Sequence, residues 1–181
     1  MQHGFGMLIS GSMVTALAIV SAASMTAGAA ERPVWEDVSK VVGRFEEVAP
    51  AIAGGAAPAE GGFGTLANAG VRTVIDLRTV PEGTEAARAR AEAAGLRYFN
   101  LPVNGNPPSH QVMTRFAAVL ADADVQPLYF YCRSGVRAGT VWAIYRRTGG
   151  VALDQAIAEG KSIGMSDQRA TQVRDYPIET H

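Results

Sequence analysis

From Gly70 onward the chain alternates short apolar stretches with longer stretches of helical period, and this alternation limits the fold more than any other feature of its 181 residues. Val71, Thr73, Ile75 and Leu77 fall on one face of a predicted strand, with Val74 and Asp76 on the other. Thr84 to Ala94 is an Ala/Glu/Arg helix stopped by Gly95, and Tyr98 to Val103 is the next strand. Pro107, Pro108 and Ser109 open a helix whose Val112, Phe116, Val119 and Leu120 keep helical spacing. A strand at Pro127 to Tyr131 follows, then a helix from Val136 to Arg147 with Ala138, Val141, Trp142 and Tyr145 as its buried stripe. Gly149-Gly150 ends that helix, and Arg146 and Arg147 in its last turn complement the helix dipole. Such alternation implies an α/β layer with a largely parallel sheet and right-handed crossovers. Ligands of such sheets bind at the carboxyl ends of strands, so the Asp76 to Pro81 turn, the loop after Val103 and the segment after Tyr131 are expected to line one crevice.

The chain N-terminal to Gly70 reads differently. Glu31 to Gly43 is a polar lead-in, and the Gly/Ala/Pro-rich Pro50 to Gly64 is expected to be an irregular or loosely packed connection. No Asp, Glu, Lys or Arg precedes Glu31, and Met7 to Ala23 is dominated by Leu, Ile, Val, Ala and Met. Ala27-Gly28-Ala29 then offers a small-residue cleavage site, with Gly28-Ala29-Ala30 one step later, so residues 1–30 are expected to be a secretory signal peptide despite an n-region without lysine or arginine. If it were retained, Met7 to Ala30 is long enough to anchor the protein in a membrane. The expected division is thus 1–30 signal, 31–55 lead-in and 56–181 a single domain, in the periplasm or secreted. Hydrophobic residues at 48% and charged residues at 18% suit one globular core. A net charge of -1 without a basic block argues against nucleic acid or an anionic membrane surface as partner. His3, His110 and His181 are scattered without metal-ligand spacing, and no metal or cofactor is expected.

The single cysteine lies in Tyr131-Cys132-Arg133-Ser134-Gly135-Val136-Arg137, between the last predicted strand and the helix after it. A strand that ends in a thiol and turns through a glycine into a helix N-terminus makes a cradle of backbone N–H groups, which binds a tetrahedral oxyanion and favours a thiolate. A free thiol titrates near 8.5, whereas helix-terminal or cation-flanked thiols fall to roughly 3.5 to 7.5, so Cys132 is expected to ionise without a histidine base. Arg137 can close over the bound anion with a planar two-bond fork that lysine cannot copy. A lone cysteine also suits export, since it has no intramolecular partner for a disulfide.

From about Ala56 to Gly164 the chain resembles the bacterial tyrosine-phosphatase-like family known as the beta-lactamase hydrolase-like protein phosphatase-like domain, a relative of dual-specificity phosphatases. The matching landmarks are a Pro58-led helix ending at Gly70, Val71-Arg72-Thr73-Val74-Ile75-Asp76-Leu77-Arg78, the Ala-rich helix through Gly95-Leu96, Leu101-Pro102-Val103, and Cys132 to Arg137. The resemblance implies a three-layer fold, a central largely parallel sheet flanked by helices. It also implies a hydrolase acting on a phosphorylated protein or small molecule. Cys132 would attack phosphorus to give a phosphocysteine, with Arg137 and the amides of Arg133, Ser134, Gly135 and Val136 holding the phosphate oxygens.

The wider phosphatase pattern has His before Cys, five residues between Cys and Arg, and Ser or Thr after Arg; here these positions are Tyr131, four residues, and Ala138. The acid-bearing loop of those enzymes maps near Pro102 to His110, which contains no carboxylate. General acid catalysis is worth about 10²- to 10⁴-fold, so slow turnover of poor leaving groups is expected. Asp76 and His110 are candidate substitutes, although an ion pair or turn contact with Arg72 or Arg78 is expected for Asp76, and an exposed first-turn position for His110. The short loop is also similar to that of rhodanese sulfurtransferases, which carry a persulfide. The Thr84 to Gly95 helix stands where their Gly-His-Ile segment would lie. A non-catalytic anion-binding protein with the same cradle is the third reading.

Overall fold

A computed structural model describes residues 35–178, and the signal peptide expected at 1–30 lies outside them. In chain order the elements are α1 (Trp35–Val41), β1 (Glu46–Ala49), β2 (Ile52–Ala56), α2 (Gly62–Asn68), β3 (Thr73–Asp76), α3 (Thr84–Ala93), β4 (Arg97–Asn100), α4 (His110–Ala121), β5 (Leu128–Cys132), α5 (Val136–Thr148), α6 (Leu153–Ile163) and α7 (Asp167–Asp175). The five strands form one sheet in the order β1-β2-β5-β3-β4, parallel except for the β1–β2 pair. This is the expected three-layer architecture. Among the described residues no helix is long and apolar enough to cross a membrane.

β5 holds the middle of the sheet, and all five of its residues are buried, as a parallel strand covered on both faces requires. Its side chains alternate between two cores. Leu128, Phe130 and Cys132 pack with α4 to α7, and Tyr129 and Tyr131 pack with α1 to α3. Phe130 meets Phe116 of α4 edge-on at 5.4 Å between ring centroids and stacks on Trp142 of α5 at 5.7 Å. Burying side chains of this size stabilises by about 1.5 to 3 kcal/mol each, which makes these rings the principal anchors of the sheet to its helices.

The segment expected to be an irregular connection is instead an internal strand. β2 pairs with β5 from Ile52↔Leu128 to Ala56↔Cys132. Its Gly/Ala composition reflects the size of its neighbours. A Cβ on Gly54 would stand 2.5 Å from Phe130 Cζ, and one on Gly55 2.5 Å from Tyr129 Oη, so aromatic rings of β5 occupy the space that β2 leaves empty. The fold therefore takes α1, β1 and most of β2 from the segment 31–55, which the sequence reading treats as a lead-in. The helix expected after Pro58 is α2, starting at Gly62. The strand expected over Tyr98 to Val103 ends at Asn100, but Leu101 N–H and Val103 N–H still donate to Asp76 and Leu77 carbonyls at 2.9 and 3.0 Å.

Candidate active site

Cys132 is the last residue of β5, buried, and level with Ala56 at the end of β2. The chain leaves the sheet through exposed Arg133 and Ser134, and a bridge between Ser134 and Ala56 ties the loop back to β2. Gly135 then turns with φ 85° and caps α5, with Val136 as the first helical residue. That φ favours glycine, and a side chain here would also run into the Ile163 carbonyl at the end of α6. The first N–H groups of α5 have no helical carbonyl to bond. The sequence-predicted residues Cys132, Arg133, Ser134, Gly135, Val136 and Arg137 thus form one tight turn over the end of the central strand.

Arg137 spends its five donors unequally. Nη1 and Nη2 bond Glu82 Oε2 and Oε1 at 2.7 and 2.6 Å, and Nη1 also reaches the Val103 carbonyl at 3.4 Å. Because Glu82 occupies the terminal fork, the edge left over is Nε–H with one Nη2–H, two parallel donors suited to an oxyanion. Bonding to Glu82 raises the guanidinium's proton affinity most. Burial opposes it, and the nearby Cys132 adds to it. Glu82 closes a short 3-10 turn, Val80–Glu82, in which Thr79 N–H and Oγ1–H both donate to Oε2 at 2.9 Å. The Arg137 bond, against some burial, holds its carboxyl down at about 2. Sequence reasoning missed Glu82, whose only signal was the Thr79-to-Glu82 capping-box spacing.

Asp76 is not placed as an acid. Its side chain is fully buried, and it accepts from Arg78 Nε and Nη2, from Arg78 N–H, from Tyr98 Oη at 2.7 Å and from Tyr131 Oη at 2.9 Å. The expected contact with Arg78 is present. Burial and then Asp76's hydrogen bond or charge push both tyrosine hydroxyls well above their usual range, so they remain donors. Tyr131, at the position of the wider family's histidine, has its hydroxyl in this cluster. His110 starts α4, exposed as expected, and faces an apolar groove with Met113, Tyr145 and Tyr176. It does not join Cys132.

The crevice expected from three loops is found in part: the third loop contributes only Arg137, and buried Cys132 is not among the lining residues. A cleft of about 560 Å³ is lined by Thr79 and Glu82 after β3, Val103 to Asn106 after β4, and Arg137. Arg169 of α7 completes it, a residue that no sequence signal singled out. Arg133 lies against Arg78, Pro81 and Glu82 in a neighbouring hollow.

A family model described as "DSP-PTPase phosphatase fused to NAD+ Kinase" matches residues 28–176. No curated protein matches the chain in sequence. Among solved structures, a DUF442 protein of Shewanella putrefaciens CN-32, to which a phosphatase activity is ascribed, is similar at TM-score 0.62 and 18% identity, over 76% of this chain and 93% of its own. The catalytic core of the PP-IP phosphatase SIW14 from S. cerevisiae, in complex with citrate, gives 0.61 and 14% over 75% and 87%. A cysteine-to-serine form of P. aeruginosa TpbA in complex with pTyr gives 0.61 and 20% over 83% and 92%. At these identities the likeness is one of fold.

Proposed function

The chain belongs to the DSP-PTPase phosphatase family described as fused to NAD+ kinase, and on that premise we propose the part each residue takes in phosphate-ester hydrolysis by this cysteine-dependent, tyrosine-phosphatase-like enzyme. Cys132 Sγ attacks phosphorus, forming the S–P bond as the ester oxygen leaves with its electron pair. The free edge of Arg137 and the amides of Arg133, Ser134, Gly135 and Val136 hold the non-bridging oxygens as charge builds on them. Water then attacks the phosphocysteine, releasing orthophosphate and the thiolate. Glu82 positions Arg137 and takes no proton. The observation that carries this reading is the donor accounting at Arg137, which leaves two parallel donors unused on a guanidinium whose charge is coupled to that of Cys132.

Proteins of similar fold include TpbA, whose cysteine-to-serine form is in complex with pTyr, and the PP-IP phosphatase SIW14, which is consistent with a phosphorylated substrate here. We further propose that residues 1–30 are removed on export, so that the hydrolase acts in the periplasm or outside the cell.

Purified protein treated with 4-nitrophenyl phosphate, and separately with thiosulfate plus cyanide, tests the reaction class. We expect Cys132-dependent release of phosphate, complete loss in Cys132→Ser with the fold retained, and a loss on the order of 10²- to 10³-fold in Arg137→Lys. Wild-type rates from Cys132→Ser place the chemistry elsewhere, and a persulfide without phosphate release makes the protein a sulfurtransferase.

A further inference from the structure

The cleft beside Arg137 offers little to an aromatic ring. Val103 is its one apolar side chain, and the rest of the lining is hydroxyl, amide, glycine, carboxylate and guanidinium. A phosphotyrosyl ring gains affinity by burying apolar area, and here there is almost none to bury it against. What the cleft does offer is positive charge. Arg137 is matched by Glu82, but Arg169 has no carboxylate within ion-pair distance among the described residues. Its one side-chain partner is Gln172 Oε1 at 3.3 Å. Partial burial, and then the neighbouring charge of Arg137, lower its proton affinity, as expected of a cation that a bound anion would stabilise.

The same cleft also has no group that can protonate a departing oxygen. Its one carboxylate among the described residues, Glu82, is ionised and bonded to Arg137. A leaving group must therefore depart as an anion. Water, the nearest guide to an alcohol, has a pKa of about 15.7, tyrosine's phenol one of about 10, and a phosphate monoester one of about 6. Only the last leaves readily without a proton. It also carries negative charge of its own, for which Arg169, without a carboxylate partner among the described residues, is placed.

We propose that the substrate is an organic diphosphate, whose terminal phosphoryl group passes to Cys132 while Arg169, aided by the amides of Asn104 and Asn106, holds the phosphate left behind. This rests on the nucleophilic role of Cys132 given above. Sγ forms a bond to the terminal phosphorus, and the bond from that phosphorus to the bridging oxygen breaks. The bridging oxygen keeps the electron pair and becomes part of the monophosphate product. Water then cleaves the S–P bond, giving orthophosphate and restoring the thiolate.

Three probes separate this inference from the reading beneath it: propyl diphosphate, propyl phosphate and 4-nitrophenyl phosphate. The wild type should convert propyl diphosphate to propyl phosphate and orthophosphate, with kcat/KM above that for propyl phosphate by roughly the 10²- to 10⁴-fold that an acid would otherwise supply. Arg169→Gln should lose about 10- to 100-fold more on the diphosphate than on 4-nitrophenyl phosphate, mostly through KM, and Arg169→Lys should recover part of that loss. If 4-nitrophenyl phosphate is cleaved but the diphosphate is no better than propyl phosphate, the inference fails while the phosphatase reading stands. Equal losses on both substrates in Arg169→Gln also overturn it. If the wild type cleaves none of the three, the phosphatase reading falls and takes this inference with it.

Discussion

Glu82 shows how one side chain can set the direction of another. By taking the terminal fork of Arg137, it leaves the guanidinium's other edge free of carboxylate, and its own carboxyl is held at about 2 against an ordinary 4.5. A carboxyl with a depressed pKa stabilises the folded state above its unfolded value, and that contribution fades as pH falls from about 4.5 through about 2. Glu82→Gln has no such contribution to lose. The wild type should therefore lose more of its thermal midpoint between pH 5 and pH 2, on the order of a few degrees, and the variant should also lose about tenfold in kcat/KM at neutral pH. Matching acid profiles would mean that the pair does not support the fold. Asn104, also in the cleft, is the complementary case. Asn104→Asp puts a carboxyl where none stands, and should narrow the rate gap between phenyl phosphate and 4-nitrophenyl phosphate by roughly tenfold if the missing acid limits turnover. An unchanged gap assigns the limit to another step.

At the scale of elements, the cradle depends on a close approach of α5 and α6. Gly139 and Gly160 face each other, and a Cβ on Gly160 would stand 2.6 Å from the Gly139 carbonyl oxygen. α6 in turn delivers the Ile163 carbonyl against Gly135 at the start of α5, so the distance between the helices reaches the loop from Cys132 to Arg137. Gly139→Ala must push the helices apart. A cost of about 1 to 3 kcal/mol is expected, a fall in midpoint of roughly 2 to 12 °C by thermal unfolding, together with reduced phosphate-ester turnover. A variant as stable as the wild type would show that α6 moves freely. β2 presents the same principle on the sheet, where Gly54 and Gly55 leave room for Phe130 and Tyr129 of β5.

On the scale of the whole molecule, the two faces of the sheet have different tasks. α1 to α3 cover the face on which Tyr98 and Tyr131 bond buried Asp76, which ties β3, β4 and β5 together. α4 to α7 cover the other, and from that side α7 brings Arg169 to Arg137. The proposed export is tested at residues 1–30. Processed protein recovered from a bacterial host should begin at Ala30 or Glu31, which its intact mass will read directly. A mass retaining Met1, in protein recovered with the membrane fraction, means that the segment is an anchor.

The strands and helices between Gly70 and Gly150 and the loop from Cys132 to Arg137 were legible because local rules govern them, namely hydrophobic period, glycine at turns, and a thiol between a strand and a helix, whereas α6 and α7 were not read from the sequence. The contact of Asp76 with Arg78 was legible for the same reason, being only two residues long. β2 was not, since its glycines look like a loop until the rings of β5, more than seventy residues away along the chain, are laid over them. Nor were the roles of Glu82 and Arg169, because a charged side chain in a helix or turn has no periodic signal and acquires its partner only when distant elements pack. Sequence alone determined the chemistry at the end of the central strand and the α/β class that displays it. Tertiary structure decided which edge of Arg137 Glu82 occupies and which second cation shares the cleft, since both depend on distances across the fold rather than on spacing along the chain.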